Sequence, residues 1–129
     1  MITLTEFARR MVGVPWVKWR ADWQACDCYG LLVMYYRHVL GQDIGQVPHA
    51  PFATGLAGLS QWRECPAGTP GEVYVFTKGS DPQHCGVPYG FGRVLHCWGS
   101  DNHPGNVRID RLDALTRLYG GYRTYAHHP

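Results

Sequence analysis

The apolar residues of this chain change period at "GTPG" (68–71), and that change constrains the fold more than any other feature. Before it, apolar residues recur at helical spacing. Phe7 and Met11 form an i, i+4 pair, and Leu31, Leu32, Tyr35, Val39 and Leu40 trace one long helical face. After it the period falls to two. "EVYVF" (72–76), "HCGVPY" (84–89), "RVLHCW" (93–98) and "NVRI" (106–109) read as strands joined by Gly and Asp/Asn turns, with "FTKGSDPQ" and "YGFG" as hairpin connections. Helices first and antiparallel strands second describe an α+β fold, with N-terminal helices packed on a small antiparallel sheet. A first helix is expected over 3–11, because Thr3 and Glu6 have capping-box spacing. A second is expected over 27–40, capped by Asp27 and stopped by Gly41. Short helices are expected across "GLAGLSQWREC" (55–65) and "DRLDALTRL" (110–118), the latter capped by Asp110, and "YRTY" as a last strand.

A length of 129 residues suits one domain, expected to span 1–129. A net charge of +2 is too mild for a nucleic-acid partner. No run of about 18 apolar residues exists to cross a membrane. The opening "MITLTEFARRMVGVPW" is too polar for a signal peptide, so synthesis and folding in a cytoplasm are expected. In such a compartment the five cysteines are expected as free thiols, metal ligands or catalytic groups, not structural bridges.

Within "QACDCYGLL" (24–32) the two thiols of Cys26 and Cys28 are not equivalent. Cys28 falls in the first turn of the expected helix. There the helix dipole and unpaired N–H groups favour thiolate, the nucleophilic form. Cys26 precedes the helix and is expected as a bystander. A cysteine nucleophile needs a base, and the base needs an orienting partner. His84 and His96 lie on two strands joined by a short hairpin, so both are expected close together on one face. With the Cys28 helix packed on that face, His84 takes the thiol proton and His96 holds its ring in the useful tautomer. Cys85 and Cys97 each follow one of these histidines, which places both on the opposite face as small apolar residues.

Four stretches, taken in order, resemble the NlpC/P60 cysteine peptidases. "DCYGLL" (27–32) is similar to their D-C-S-G-hydrophobic motif, and "GVPW" (13–16) to the G-x-x-Tyr element upstream of it. "PGEVYVF" (70–76) resembles their P-G-D-hydrophobic strand, and "HCGVPYGFGRVLHC" (84–97) their double-histidine hairpin. The resemblance implies a papain-like fold with a catalytic triad of Cys28, His84 and His96, and hydrolysis of peptide bonds in bacterial cell-wall peptides. It implies an oxyanion and substrate pocket around Trp16, Asp27 and Tyr29, and no cofactor. Tyr29 stands where the family usually has Ser, Trp16 where it often has Tyr, and the usual Gly pair is replaced around Trp19 and Arg20. The small size, the polar start and the finish "LYGGYRTYAHHP" look most like the branch found in bacteriophage tail tips. There the partners are other tail-tip proteins, and the virion brings the enzyme to the wall.

Three alternatives share these residues. Cys26, Cys28, His84 and His96 are zinc-ligand types, although C-x-C lacks the two-to-four-residue gap usual between paired zinc thiolates. A structural tail-tip component with the same fold, either without turnover or active only when assembled with its partners, is the second. An acyltransferase or amidase on the same scaffold is the third, because the triad sets the acyl-enzyme chemistry and not the acceptor.

Overall fold

A computed structural model describes residues 1–49 and 61–128. In chain order its elements are α1 (Leu4–Met11), α2 (Cys28–Tyr35), a π-helical turn (Tyr36–Leu40), β1 (Trp62–Glu64), β2 (Val73–Lys78), β3 (Asp81–Pro88), β4 (Arg93–Trp98), β5 (Asn106–Arg111), α3 (Leu112–Tyr119) and β6 (Gly121–His127). The six strands form one sheet in the order β1-β6-β2-β3-β4-β5, and every pairing is antiparallel. The α+β expectation holds.

Local chemistry sets the helix ends. The Thr3 side chain accepts from the Glu6 N–H at 3.1 Å and opens α1. Glu6 does not complete a reciprocal box; it pairs with Arg9 and Arg10 instead. The expected 27–40 helix divides into α2 and the π-helical turn, and Gly41 closes it at φ 70, where a side chain would be strained. From Tyr29 to Tyr35 every residue of α2 is buried, so this helix is core on all sides.

Each strand alternates its two faces. Val73, Val75, Cys85, Val87, Leu95, Cys97 and Val107 point to one side and join α1 and α2 in the main core. Phe76 and Val94 point to the other side and pack with Leu115, Leu112 and Tyr119 of α3. Full burial of a Leu, Val or Phe side chain contributes about 1.5–3 kcal/mol, so both layers hold the sheet.

The expected connection "FTKGSDPQ" is mostly strand, with only Gly79 and Ser80 in the turn, and two further expectations change here. The first is the short helix at 55–65. Its residues up to 60 lie outside the described residues, and Trp62–Glu64 is a strand paired with β6. The second is the start of α3. It begins at Leu112 with Arg111 as its cap residue, and no side chain caps it. Asp110 belongs to β5, opposite Val94.

Candidate active site

Asp27 builds the start of α2. One carboxylate oxygen accepts the Gly30 N–H at 2.7 Å, and the other accepts the Trp19 N–H at 2.8 Å. Burial pushes this carboxyl up, against the pull of those two N–H bonds. The same residue therefore caps the helix and anchors the loop before it. Trp19 takes φ 65, a left-handed conformation that favours glycine, at the place where the resemblance leads one to look for a Gly pair. The Arg20 carbonyl accepts the Asp27 N–H and lies so close to Gly30 that a Cβ there would sit 1.9 Å from it. Cys28 follows as the first helical residue, half-buried. Its N–H is among those that a helix start leaves without an intrahelical partner.

The two histidines are joined directly. Their strands pair only at Val87–Leu95 and Pro88–Val94. Beyond that point β3 continues on β2 and β4 on β5, so the sheet parts between them. Across the parting, His84 Nε2 and His96 Nδ1 stand 2.8 Å apart. Extending the register puts Gly86 opposite His96, so His84 reaches its partner on the diagonal. Gly86 keeps that diagonal open, since a Cβ there would lie 2.5 Å from Val94 Cγ1 and 3.1 Å from His96 Cβ.

Both histidines are buried, at 5% and 1% exposure. Burial, with His96 beside it, pushes His84 down to about 3. Burial also lowers His96, against the pull of Asp110. His96 Nε2 meets Asp110 Oδ2 at 2.8 Å, and Arg108 Nε meets the same oxygen at 2.8 Å. The His84 ring lies near-parallel to Phe76 (centroids 6.0 Å apart) and Tyr119 (5.2 Å). Burial and the neighbouring Cys28 push the Tyr119 phenol up to about 12, with the Trp98 indole pulling the other way. Tyr119 is thus a neighbour of both Cys28 and His84.

The packing of α2 differs from expectation. The Cys85 thiol donates to the Cys28 carbonyl at 3.2 Å, and the Cys97 thiol donates to the Cys26 carbonyl at 3.1 Å. The helix therefore lies on the face of Cys85 and Cys97, and the histidines point away from it toward α3. Cys85 and Cys97 do oppose the histidines, and both hold the helix start. Cys28 sits where β3 and β4 part, next to the strand residue that follows His84.

The remaining expected pocket residues divide. Trp16 bridges to Cys26, and its backbone N–H donates to Gly105, so it lies beside the loop that leads into Cys28. Tyr29 is 6% exposed and points into the core, where its hydroxyl accepts from Trp62 Nε1 at 3.0 Å. It shapes the site only through packing. Asp27 has both carboxylate oxygens on backbone N–H groups. Cys26 is buried, and its hydrogen bond with Cys97, together with burial, pushes its thiol well above the usual range. Among the described residues no group of three or more His, Cys, Asp or Glu is arranged to hold a metal ion. No helix among them is long and apolar enough to cross a membrane. Asp110 is the residue that sequence reasoning misplaced. Its signal was its spacing: Arg108 and Asp110 alternate on one strand and share a face with His96.

No family model matches the sequence, and no curated protein does. Solved structures do resemble it. The NlpC/p60 domain of the peptidoglycan hydrolase SagA superposes with a TM-score of 0.60 at 17% identity, over 95% of this chain and 93% of that one. NlpC2 from Trichomonas vaginalis gives 0.64 at 18% identity, over 95% of this chain and 45% of its own. A protein similar to an NLP/P60-family lipoprotein from Staphylococcus aureus gives 0.62 at 19%, over 96% and 40%. The chain spans less than half the length of the last two. At these TM-scores the chain has the fold of the NlpC/P60 domains.

Proposed function

We propose that this chain is a cysteine peptidase that hydrolyses peptide bonds in the stem peptides of bacterial peptidoglycan. Cys28 is the nucleophile, His84 the base and His96 the group that orients it. The observation that carries this reading is the 2.8 Å bond between His84 Nε2 and His96 Nδ1, made where the strands part beside the start of α2. That bond engages one nitrogen of His84 and leaves Nδ1 for the thiol.

The Cys28 S–H proton passes to His84 Nδ1, and the sulfur attacks the amide carbonyl. A C–S bond forms and the carbonyl oxygen gains the electron pair. The Cys28 N–H at the helix start stabilises that oxyanion. The C–N bond then breaks, and the leaving amine takes the proton from His84. Water, deprotonated by His84, attacks the thioester, releasing the acid and restoring the thiol.

The cell-wall substrate is supported by the motif resemblance and by the shared fold with the peptidoglycan hydrolase SagA. We place the enzyme in a phage tail tip or a related particle, acting in the periplasm or cell wall beside other tail-tip proteins. Exposed Phe91, at 99%, and half-exposed Tyr122 line one open cleft with Leu112 and Arg117, which supports a protein-facing surface there. Detection of the chain in purified particles tests that placement.

The activity is tested by digesting purified peptidoglycan and weighing the released peptides. Wild type is expected to release them. Cys28→Ala is expected to release none while keeping the wild-type circular dichroism and Tm. Unchanged release by Cys28→Ala ends the proposal.

A further inference from the structure

The histidine pair does not end at His96. His84 meets it from β3 and Asp110 meets it from β5, each on the diagonal and each at 2.8 Å. We propose that Asp110 is a positioning residue, which sets the proton of both histidines so that His84 Nδ1, the nitrogen that the proposed mechanism assigns to the Cys28 thiol, is left as a free lone pair.

The chain of reasoning uses only donor and acceptor types. An aspartate carboxylate accepts hydrogen bonds and donates none. His96 must therefore carry its proton on Nε2, the nitrogen that faces Asp110. Neutral His96 then has an acceptor at Nδ1. His84 Nε2 faces that acceptor, so it must carry the proton of the His84 ring. The nitrogen left without a proton is His84 Nδ1. The two bonds fix one direction of donation, from His84 to His96 to Asp110. Burial keeps both rings neutral, which this arrangement requires. Arg108 pairs with the same carboxylate oxygen at 2.8 Å and balances its charge at the sheet edge. His96 alone cannot set the direction. Without an acceptor at Nε2, its tautomer with the proton on Nδ1 would donate to His84 Nε2 and move the His84 proton to Nδ1. That tautomer offers Cys28 no base.

This inference rests on the proposed roles of Cys28 and His84, but its first test needs no substrate. Heteronuclear NMR of the imidazole nitrogens at neutral pH is expected to show Nε2–H and a bare Nδ1 on both histidines. A proton on Nδ1 of His96 overturns the inference, whatever the activity. The second test is Asp110→Asn, whose amide N–H can donate to His96 Nε2 and reverse the direction. Both histidines are expected to shift toward Nδ1–H, and kcat on peptidoglycan peptides to fall roughly 10³- to 10⁴-fold, as for a triad forced into the wrong tautomer. KM and the circular dichroism are expected to change little. Asp110→Glu is expected to restore the Nε2–H tautomers and part of kcat. If Asp110→Asn keeps the wild-type tautomers, or keeps kcat within a few-fold, Asp110 does not set the relay. If Cys28→Ala retains full activity while the tautomers are as described, the peptidase reading fails and the proton arrangement stands.

Discussion

At the scale of single residues, absent atoms matter as much as the reactive ones. Gly86 leaves open the diagonal along which His84 reaches His96. Gly86→Ala brings a Cβ to 2.5 Å from Val94 Cγ1 and within 3.1 Å of the Leu95 carbonyl oxygen, so strand or side chain must move. Overpacking of this kind costs about 1–3 kcal/mol. The variant is expected to unfold at lower denaturant and to lose activity beyond what its stability explains, because His96 moves with the strand. Wild-type kcat in Gly86→Ala would show that the diagonal is not needed. Residue identity also makes the start of α2 legible in the sequence: Asp27, a capping residue type, stands just before Cys28. Asp110 was misread for the converse reason. Asp just before an apolar helical pattern reads as a cap, whereas the cap position is Arg111, one residue later. The helix starts at Leu112, while Asp110 stays on β5 and turns to His96.

The elements came through by their periods. Strand β4 has the bounds that its period predicts, and α1, β5 and β6 agree to within a few residues. What the sequence could not convey was which face of the sheet receives α2. Strand alternation says that His84 and Cys85 oppose each other, but both faces of this sheet are covered, so the pattern alone does not choose. The choice comes from the loop 17–21, tied to Asp27 and seated on Gly30, which carries the helix start onto Cys85 and Cys97. Asp27 is the hinge of that arrangement. Loss of an Asp cap costs about 0.5–2 kcal/mol, and Asp27→Ala also frees the Trp19 N–H. Its Tm is expected to fall and protease cleavage near 17–21 to rise. Asp27→Asn retains a capping oxygen and is expected to recover part of the loss. Equal damage from both would mean that the charge, not the cap, holds the loop.

Across the whole molecule, two neutral histidines buried beside a sheet make stability depend on pH. An unfolded histidine titrates near 6.5, while folded His84 is pushed down to about 3. Between those values the unfolded chain binds a proton that the folded chain refuses. Stability therefore falls as pH drops from about 6.5 toward 3, with a slope near 1.4 kcal/mol per pH unit once the unfolded His84 is charged. Asp27 acts in the opposite direction, since burial raises its carboxyl and the folded state takes up its proton more readily. The His84 contribution is isolated by comparing urea unfolding of wild type and His84→Gln at about pH 7 and pH 5. The wild type is expected to lose more stability than the variant over that interval. Equal losses would contradict a neutral buried His84.

The central claim is that one of five thiols does the chemistry, and active-site labelling tests it most directly. Cys26, Cys85 and Cys97 are buried, whereas Cys28 and Cys65 are both half-exposed, so exposure alone does not favour Cys28. A chloromethyl ketone built on a stem peptide alkylates a bound thiolate with loss of chloride. Peptide mapping is expected to find one adduct per chain, on Cys28, with hydrolysis lost in step and no adduct in His84→Ala. Labelling of Cys65 with Cys28 untouched, or hydrolysis that survives complete modification of Cys28, would contradict the claim.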